Sequence, residues 1–140
     1  MNEAFGSFPV KLDEKSRLIL PAKARAQWAE GTFLVKGQDQ CLHLFSKDQF
    51  DRRRELIREE TPEGIPALAF DRVFFSSLVS QTPDKQGRIT IPSALRQYAS
   101  LDRDVVMVGL EGRMEIWDVI VWQEYLDTYA KQFASLKGLR

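Results

Sequence analysis

Apolar and polar residues alternate along this chain in short runs, and each run ends in a polar turn or a breaker. Phe8 to Leu12 reads as an extended run entering a tight polar turn, Asp13 to Ser16. A short strand follows from Arg17 to Leu20, with Leu18 and Leu20 on one face. Pro21 stops that strand, because it has no N–H to give a ladder, and suits the first turn of a short helix over Ala22 to Trp28. A second hairpin joins Phe33–Lys36 to Cys41–Phe45 through a turn at Gly37. Ser46 and Gln49 then form a capping box ahead of a helix over Lys47 to Glu59.

The same order of elements comes round again. Leu78 to Thr82 is extended, Asp84 to Gly87 turns, Arg88 to Ile91 is a strand, Pro92 stops it, and Ser93 to Ala99 is a short helix. Val105–Val108 and Arg113–Trp117 make the hairpin, with Gly109-Leu110-Glu111-Gly112 as its turn. Asp118 caps a last helix over Val119 to Leu136. Between the two series lies a breaker cluster, Thr61-Pro62-Glu63-Gly64-Ile65-Pro66, then a short helical stretch from Ala67 to Ser77.

The two series are copies at the level of residues. DEKSRLILPAKAR, from Asp13 to Arg25, aligns with DKQGRITIPSALR, from Asp84 to Arg96, at a spacing of 71. Asp13, Arg17, Pro21 and Arg25 meet Asp84, Arg88, Pro92 and Arg96. At a spacing of 72, Gly37, Leu42, Leu44, Phe45 and Phe50 meet Gly109, Met114, Ile116, Trp117 and Trp122. The expected organisation is a first repeat over 1–60, a connecting segment with a short helix over 61–77, and a second repeat over 78–140. One copy alone is too small for a good core, so the two are expected to share one in a single pseudo-twofold domain.

Composition adds limits. A hydrophobic fraction of 44% and a charged fraction of 29% are ordinary for a globular protein. No run approaches the roughly 20 apolar residues of a membrane span. Met1 to Val10 lacks the pattern of a secretory signal, and the single Cys41 forms no internal disulfide, as expected of a cytoplasmic protein. The net charge of zero argues against nucleic-acid binding, so any such role must rest on local charge. Lys11, Lys15, Arg17, Lys23 and Arg25 against Asp13 and Glu14 give a local +3, and Lys85, Arg88 and Arg96 against Asp84 give +2.

Arg17 and Arg88 carry the sharpest chemistry. A guanidinium fork can grip guanine O6 and N7, or a phosphate, and a two-stranded ribbon is thin enough for the major groove. The competing reading is a structural pair with the aspartate of the same turn. Lys11, Lys15, Lys23 and Lys85 are candidates for phosphate contact. Asp13 and Asp84 are expected to organise the turns by accepting backbone N–H bonds. Arg25 and Arg96 suit structural pairing as well as they suit phosphate. In Asp51-Arg52-Arg53-Arg54-Glu55, helical spacing predicts Asp51–Arg54 and Glu55–Arg58 ion pairs, the mark of a solvated face or a subunit contact. Cys41 and His43 share a strand face, and their counterparts Arg113 and Glu115 are polar, so that face is expected outermost, with no metal site. Trp122, Tyr125, Tyr129 and Phe133 form a helical stripe for core or subunit packing.

These motifs resemble the MraZ family and, more widely, the AbrB-like swapped-hairpin transcription factors. The resemblance is carried by Leu12-Asp13-Glu14-Lys15-Ser16-Arg17-Leu18 with Pro21 and Arg25, by Asp84-Lys85-Gln86-Gly87-Arg88-Ile89 with Pro92 and Arg96, and by Val108-Gly109 and Glu115-Ile116-Trp117-Asp118. It implies an α+β fold with a duplicated swapped-hairpin, double-psi-like β-barrel core and peripheral helices. It implies a ring-shaped homo-oligomer, an octamer, binding double-stranded DNA at direct-repeat promoter boxes of the division and cell-wall gene cluster, its own promoter included. Arg17 and Arg88 match the family's DNA-facing arginines. Ser16 departs from the glycine usual before the first arginine, and costs about 1 kcal/mol if that position needs positive φ. The reading implies no enzyme, cofactor, small-molecule substrate or membrane, and a cytoplasmic, nucleoid-associated place. The alternative is an antitoxin-like protein-interaction module of the same fold. Antitoxins commonly fold a long disordered tail onto the toxin, and Ala134 to Arg140 is short for that.

Overall fold

The computed structural model describes residues 4–60 and 62–138. Thr61, which opens the breaker cluster, the first three residues of the first repeat and the last two of the second lie outside the described residues. Eight strands and four α-helices follow one another in the order the alternating pattern predicts. They are β1 (Gly6–Lys11), β2 (Arg17–Ile19), β3 (Thr32–Lys36), β4 (Leu42–Phe45), α1 (Lys47–Glu59), α2 (Ala67–Ser76), β5 (Val79–Gln81), β6 (Arg88–Thr90), α3 (Ser93–Tyr98), β7 (Asp104–Leu110), β8 (Arg113–Asp118) and α4 (Val119–Ala134). The short helix expected after Pro21 is a 3-10 helix, Ala22–Trp28. Both caps form: Ser46 Oγ accepts from the Gln49 N–H at 3.2 Å, and Asp118 Oδ2 accepts from the N–H groups of Ile120 and Val121.

The strands flanking each Asp-x-x-x-Arg turn do not pair with each other. All ladders are antiparallel: six strands form one sheet in the order β1-β7-β8-β4-β3-β5, and β2 pairs with β6 in a separate two-stranded ladder. Thus β1 of the first copy lies on β7 of the second, and β5 of the second lies on β3 of the first. The expected Asp-x-x-x-Arg hairpins are instead hydrogen-bonded turns that cross from one sheet to the other, closed by Ser16 N–H on Asp13 O and Gly87 N–H on Asp84 O. The expected closed barrel is likewise absent, because β1 and β5 are unpaired edges of an open sheet among the described residues. Pro9 is tolerated because β1 is such an edge.

Alternation sorts the sheet into two faces. Leu34, Leu42, Leu44, Met107, Met114 and Ile116 point to one side. There they meet Leu18, Leu20, Ile89 and Ile91 of the ladder, with Trp28 and Leu95 of the short helices. On the other side Phe33, Val35 and Phe45 pack under α1 and α2, and Cys41, Val106, Val108 and Trp117 pack under α4. The fold is therefore three layers, ladder and short helices, sheet, then long helices. Gly109, expected in a turn, lies inside β7 opposite Gly6. A Cβ there would collide with the Ala4 carbonyl, so glycine is needed for close approach of the chain.

Candidate nucleic-acid interface

The β2–β6 ladder brings the two motifs together. Its register pairs Arg17 with Thr90, Leu18 with Ile89, and Ile19 with Arg88. Leu18 and Ile89 are 1% exposed and face the core. Their neighbours Arg17, Ile19, Arg88 and Thr90 therefore share the opposite, outward face, with Ile19 48% exposed. Arg17 and Arg88 occupy diagonal positions on that face, a separation of about 7–8 Å. Each turn also grips the other copy's strand end: Leu20 N–H donates to Gly87 O and Ile91 N–H to Ser16 O, both at 2.9 Å.

The two turns repeat one set of bonds. Asp13 Oδ1 accepts from the Lys15 and Arg17 N–H groups at 2.8 and 2.9 Å, and Oδ2 from Arg17 Nε at 2.8 Å. Asp84 Oδ1 accepts from the Gln86 and Arg88 N–H groups, both at 2.9 Å, and Oδ2 from Arg88 Nε at 2.8 Å. These bonds, the backbone N–H of Arg17 or Arg88 foremost, hold both carboxyls below the usual range despite some opposing desolvation. Each arginine is pinned by Nε, and its Nη groups make no hydrogen bond among the described residues. The side chains are 27% and 26% exposed, enough to meet a partner.

The turn conformation explains the glycine. Gly87 has φ of +78° and Ser16 has φ of +60°, so both sit in the left-handed region and serine bears strain there. A Cβ on Gly87 would also lie 2.7 Å from Arg25 Nε. Arg25 and Arg96 serve as matched braces, donating to the carbonyls of Leu20 and Ile91.

The lysines divide. Lys15 and Lys85 stand exposed on the turns with no ion pair among the described residues. Lys11 faces Asp104 at 3.8 Å, and Lys23 lies over the Phe8 ring, 5.3 Å from its centroid. Ile19 and Thr90 were missed as members of the outward face. Their signal was the strict alternation with Leu18 and Ile89.

Cys41 and His43 correct the expectation of an outer face. They are 1% and 3% exposed, under α4, and Glu115 is buried beside them. Glu115 Oε2 accepts from Arg113 Nη2 at 2.9 Å and lies 3.3 Å from His43 Nε2, and Oε1 accepts from Trp117 Nε1 at 2.9 Å. Burial works to raise its pKa, but the His43 and Trp117 bonds and the Arg113 charge outweigh that and hold it at about 2. Burial lowers the His43 pKa against the pull of Glu115, and raises that of the Cys41 thiol. Possible metal-ligand atoms of Cys41, His43 and Glu115 lie within 4.8 Å of one another. Glu115 ties Arg113, Trp117 and His43 into one internal ionic network.

Two copies exchanging strands around a shared ladder, with one arginine from each on its outward face, define a tandem-duplicated α+β protein with a composite surface. The chain belongs to the MraZ family: the family model described as "MraZ protein, putative antitoxin-like" matches twice, over residues 4–73 and 74–137. It is 49% identical over 130 residues to the transcriptional regulator MraZ of Micrococcus luteus, covering 93% of this chain and 91% of the relative. The protein of the same name from Kocuria rhizophila is 46% identical over 130 residues, with the same coverage. That from Salinispora arenicola is 45% identical over 132 residues, covering 94% and 93%. No helix among the described residues is long and apolar enough to cross a membrane.

Proposed function

We propose that this chain is a sequence-specific transcription regulator that reads double-stranded DNA with the outward face of the β2–β6 ladder. The carrying observation is the cross-copy register, which sets Arg17 and Arg88 on one face, each pinned at Nε. The diagonal spacing of about 7–8 Å is close to two base-pair steps of about 3.4 Å, so the two guanidinium groups can address neighbouring bases or phosphates of one groove. Lys15 and Lys85 reach phosphates beside them, and Lys11 and Lys23 extend the cationic flank. Asp13 and Asp84 orient the arginines and touch no phosphate. The ladder and its turns, rather than two separate ribbons, are the reading element. We take the exchange of strands between copies as the swapped-hairpin plan, with repeats over 1–60 and 78–140 joined through 61–77.

One ladder neutralises few phosphates, so binding depends on several copies at fixed spacing. The reading is of a ring, an octamer, occupying direct-repeat promoter boxes of the division and cell-wall cluster, the promoter of its own gene among them. The names of the relatives support a regulator over the antitoxin-like alternative. Genomic footprinting with the tagged chain tests this: enrichment at repeated boxes upstream of its own gene is expected. Scattered or absent enrichment, or gel-shift affinity unchanged between low and moderate salt, contradicts it.

A further inference from the structure

Charge is held differently in the helical layer and on the ladder. On α1 the Asp51–Arg54 and Glu55–Arg58 pairs that helical spacing suggests are absent among the described residues; Asp51 pairs with Lys47 instead, at 3.0 Å. On the ladder Arg17 and Arg88 are each fixed at Nε by the aspartate of their own turn. Beside them stands a side chain with no polar group. Ile19 lies directly across the ladder from Arg88 and two residues along the strand from Arg17, and it is 48% exposed.

Single exposed apolar side chains are common on proteins and carry no argument alone. Ile19 is set apart by its place. Strands β2 and β6 pair over three residues each, with Leu18 and Ile89 turned inward, so the outward face has four members: the two arginines, Ile19 and Thr90. The repeat spacing of 71 makes Ile19 and Thr90 counterparts, as it does the arginines. One diagonal of the face is therefore the same at both ends, and the other is not. The surroundings differ in the same sense. Gln81, three residues before Asp84, clamps Thr90: its Oε1 accepts from the Thr90 N–H at 2.9 Å and its Nε2 donates to the Thr90 carbonyl at 2.7 Å. Val10 holds the matching place before Asp13 and packs against the core. The Thr90 corner is polar, with a hydroxyl and an amide, and the Ile19 corner is apolar.

The major-groove edges of the bases present donors and acceptors, and one apolar group, the 5-methyl of thymine. Isoleucine set against a donor or acceptor strips its water and returns no hydrogen bond. Set against the methyl, it buries apolar surface at no such cost. We infer that Ile19 reads a thymine 5-methyl group beside the bases or phosphates that Arg17 and Arg88 grip, and so is a specificity-determining residue. This rests on the ladder as the DNA-reading face and names a base that it selects. Thr90, with its hydroxyl, accepts more than one base at the other end. The box thereby gains a direction that two like arginines would not give it.

The test replaces the thymines of the box duplex by deoxyuridine one at a time. Deoxyuridine pairs with adenine in the same way and lacks only the 5-methyl group. Fluorescence anisotropy compares the unaltered full chain with Ile19→Ala, whose thermal midpoint is checked to be unchanged. The unaltered chain is expected to lose about fourfold in affinity at one thymine of the box, the worth of one buried methyl. Ile19→Ala is expected to bind the thymine duplex more weakly and to treat thymine and deoxyuridine alike at that position. A box in which no replacement weakens the unaltered chain, or an Ile19→Ala variant that keeps the same thymine preference, overturns the inference. If the unaltered chain does not prefer the box to a scrambled duplex, the DNA-reading ladder falls with it; if it prefers the box and ignores the methyl groups, only the role of Ile19 falls.

Discussion

A carboxylate that binds two backbone N–H groups and one arginine Nε does two jobs at once. Asp13 and Asp84 close their turns and fix the rotamer of the arginine four residues on. An Asp13→Asn variant keeps part of the turn but loses the charged partner of Arg17, so DNA affinity should fall several-fold with little change in the secondary structure seen by circular dichroism. Ser16 at φ +60° stores strain that Gly87 does not. Ser16→Gly should raise stability by about 0.5–1 kcal/mol in urea denaturation, and Gly87→Ser should lower it, because its Cβ also meets Arg25. A Ser16→Gly midpoint that falls would contradict the strain. The buried network has a pH signature. The Glu115 carboxyl is held at about 2 in the folded chain, below its ordinary value, so its contribution is complete above the unfolded value near 4.5. It is lost as pH falls from there towards 2. His43, lowered from 6.5, acts with the same sign below that value. Glu115→Gln should cost about 2 kcal/mol at neutral pH and flatten the acid limb of the stability curve.

Elements were legible where local chemistry decides them. The prolines, the Ser46–Gln49 box and the Asp118 cap mark ends that the helices respect. Strand partners were not legible. Leu18 and Ile89 must face a core whichever strand lies beside them, and alternation says nothing about which strand that is. Pairing β2 with β6 rather than β1 satisfies the same pattern and joins the copies. The same limit hid Cys41 and His43. Polar counterparts at Arg113 and Glu115 suggested a wet face, but those two neutralise each other and let α4 cover the strand pair. The duplication itself located the candidate arginines; only the ladder register made them neighbours.

At the scale of the whole molecule, strand exchange turns two weak motifs into one surface, and the long helices lie on the far side of the sheet from it. The ladder lies on one side of the sheet and α1, α2 and α4 on the other, so the proposed DNA-reading face is separate from the helical layer. Loss of assembly should weaken binding to a row of boxes far more than binding to a single box. The most direct test of the central claim is fluorescence anisotropy with a labelled duplex carrying the proposed direct-repeat boxes, comparing the unaltered protein with Arg17→Ala, Arg88→Ala and the double variant. Each single change should cost roughly tenfold or more in specific affinity, and the double variant should fall to the level seen with a scrambled duplex, all three keeping their mass and thermal midpoint. A folded, assembled double variant that still prefers the boxes as strongly as the unaltered chain would show that the shared ladder is not what reads DNA.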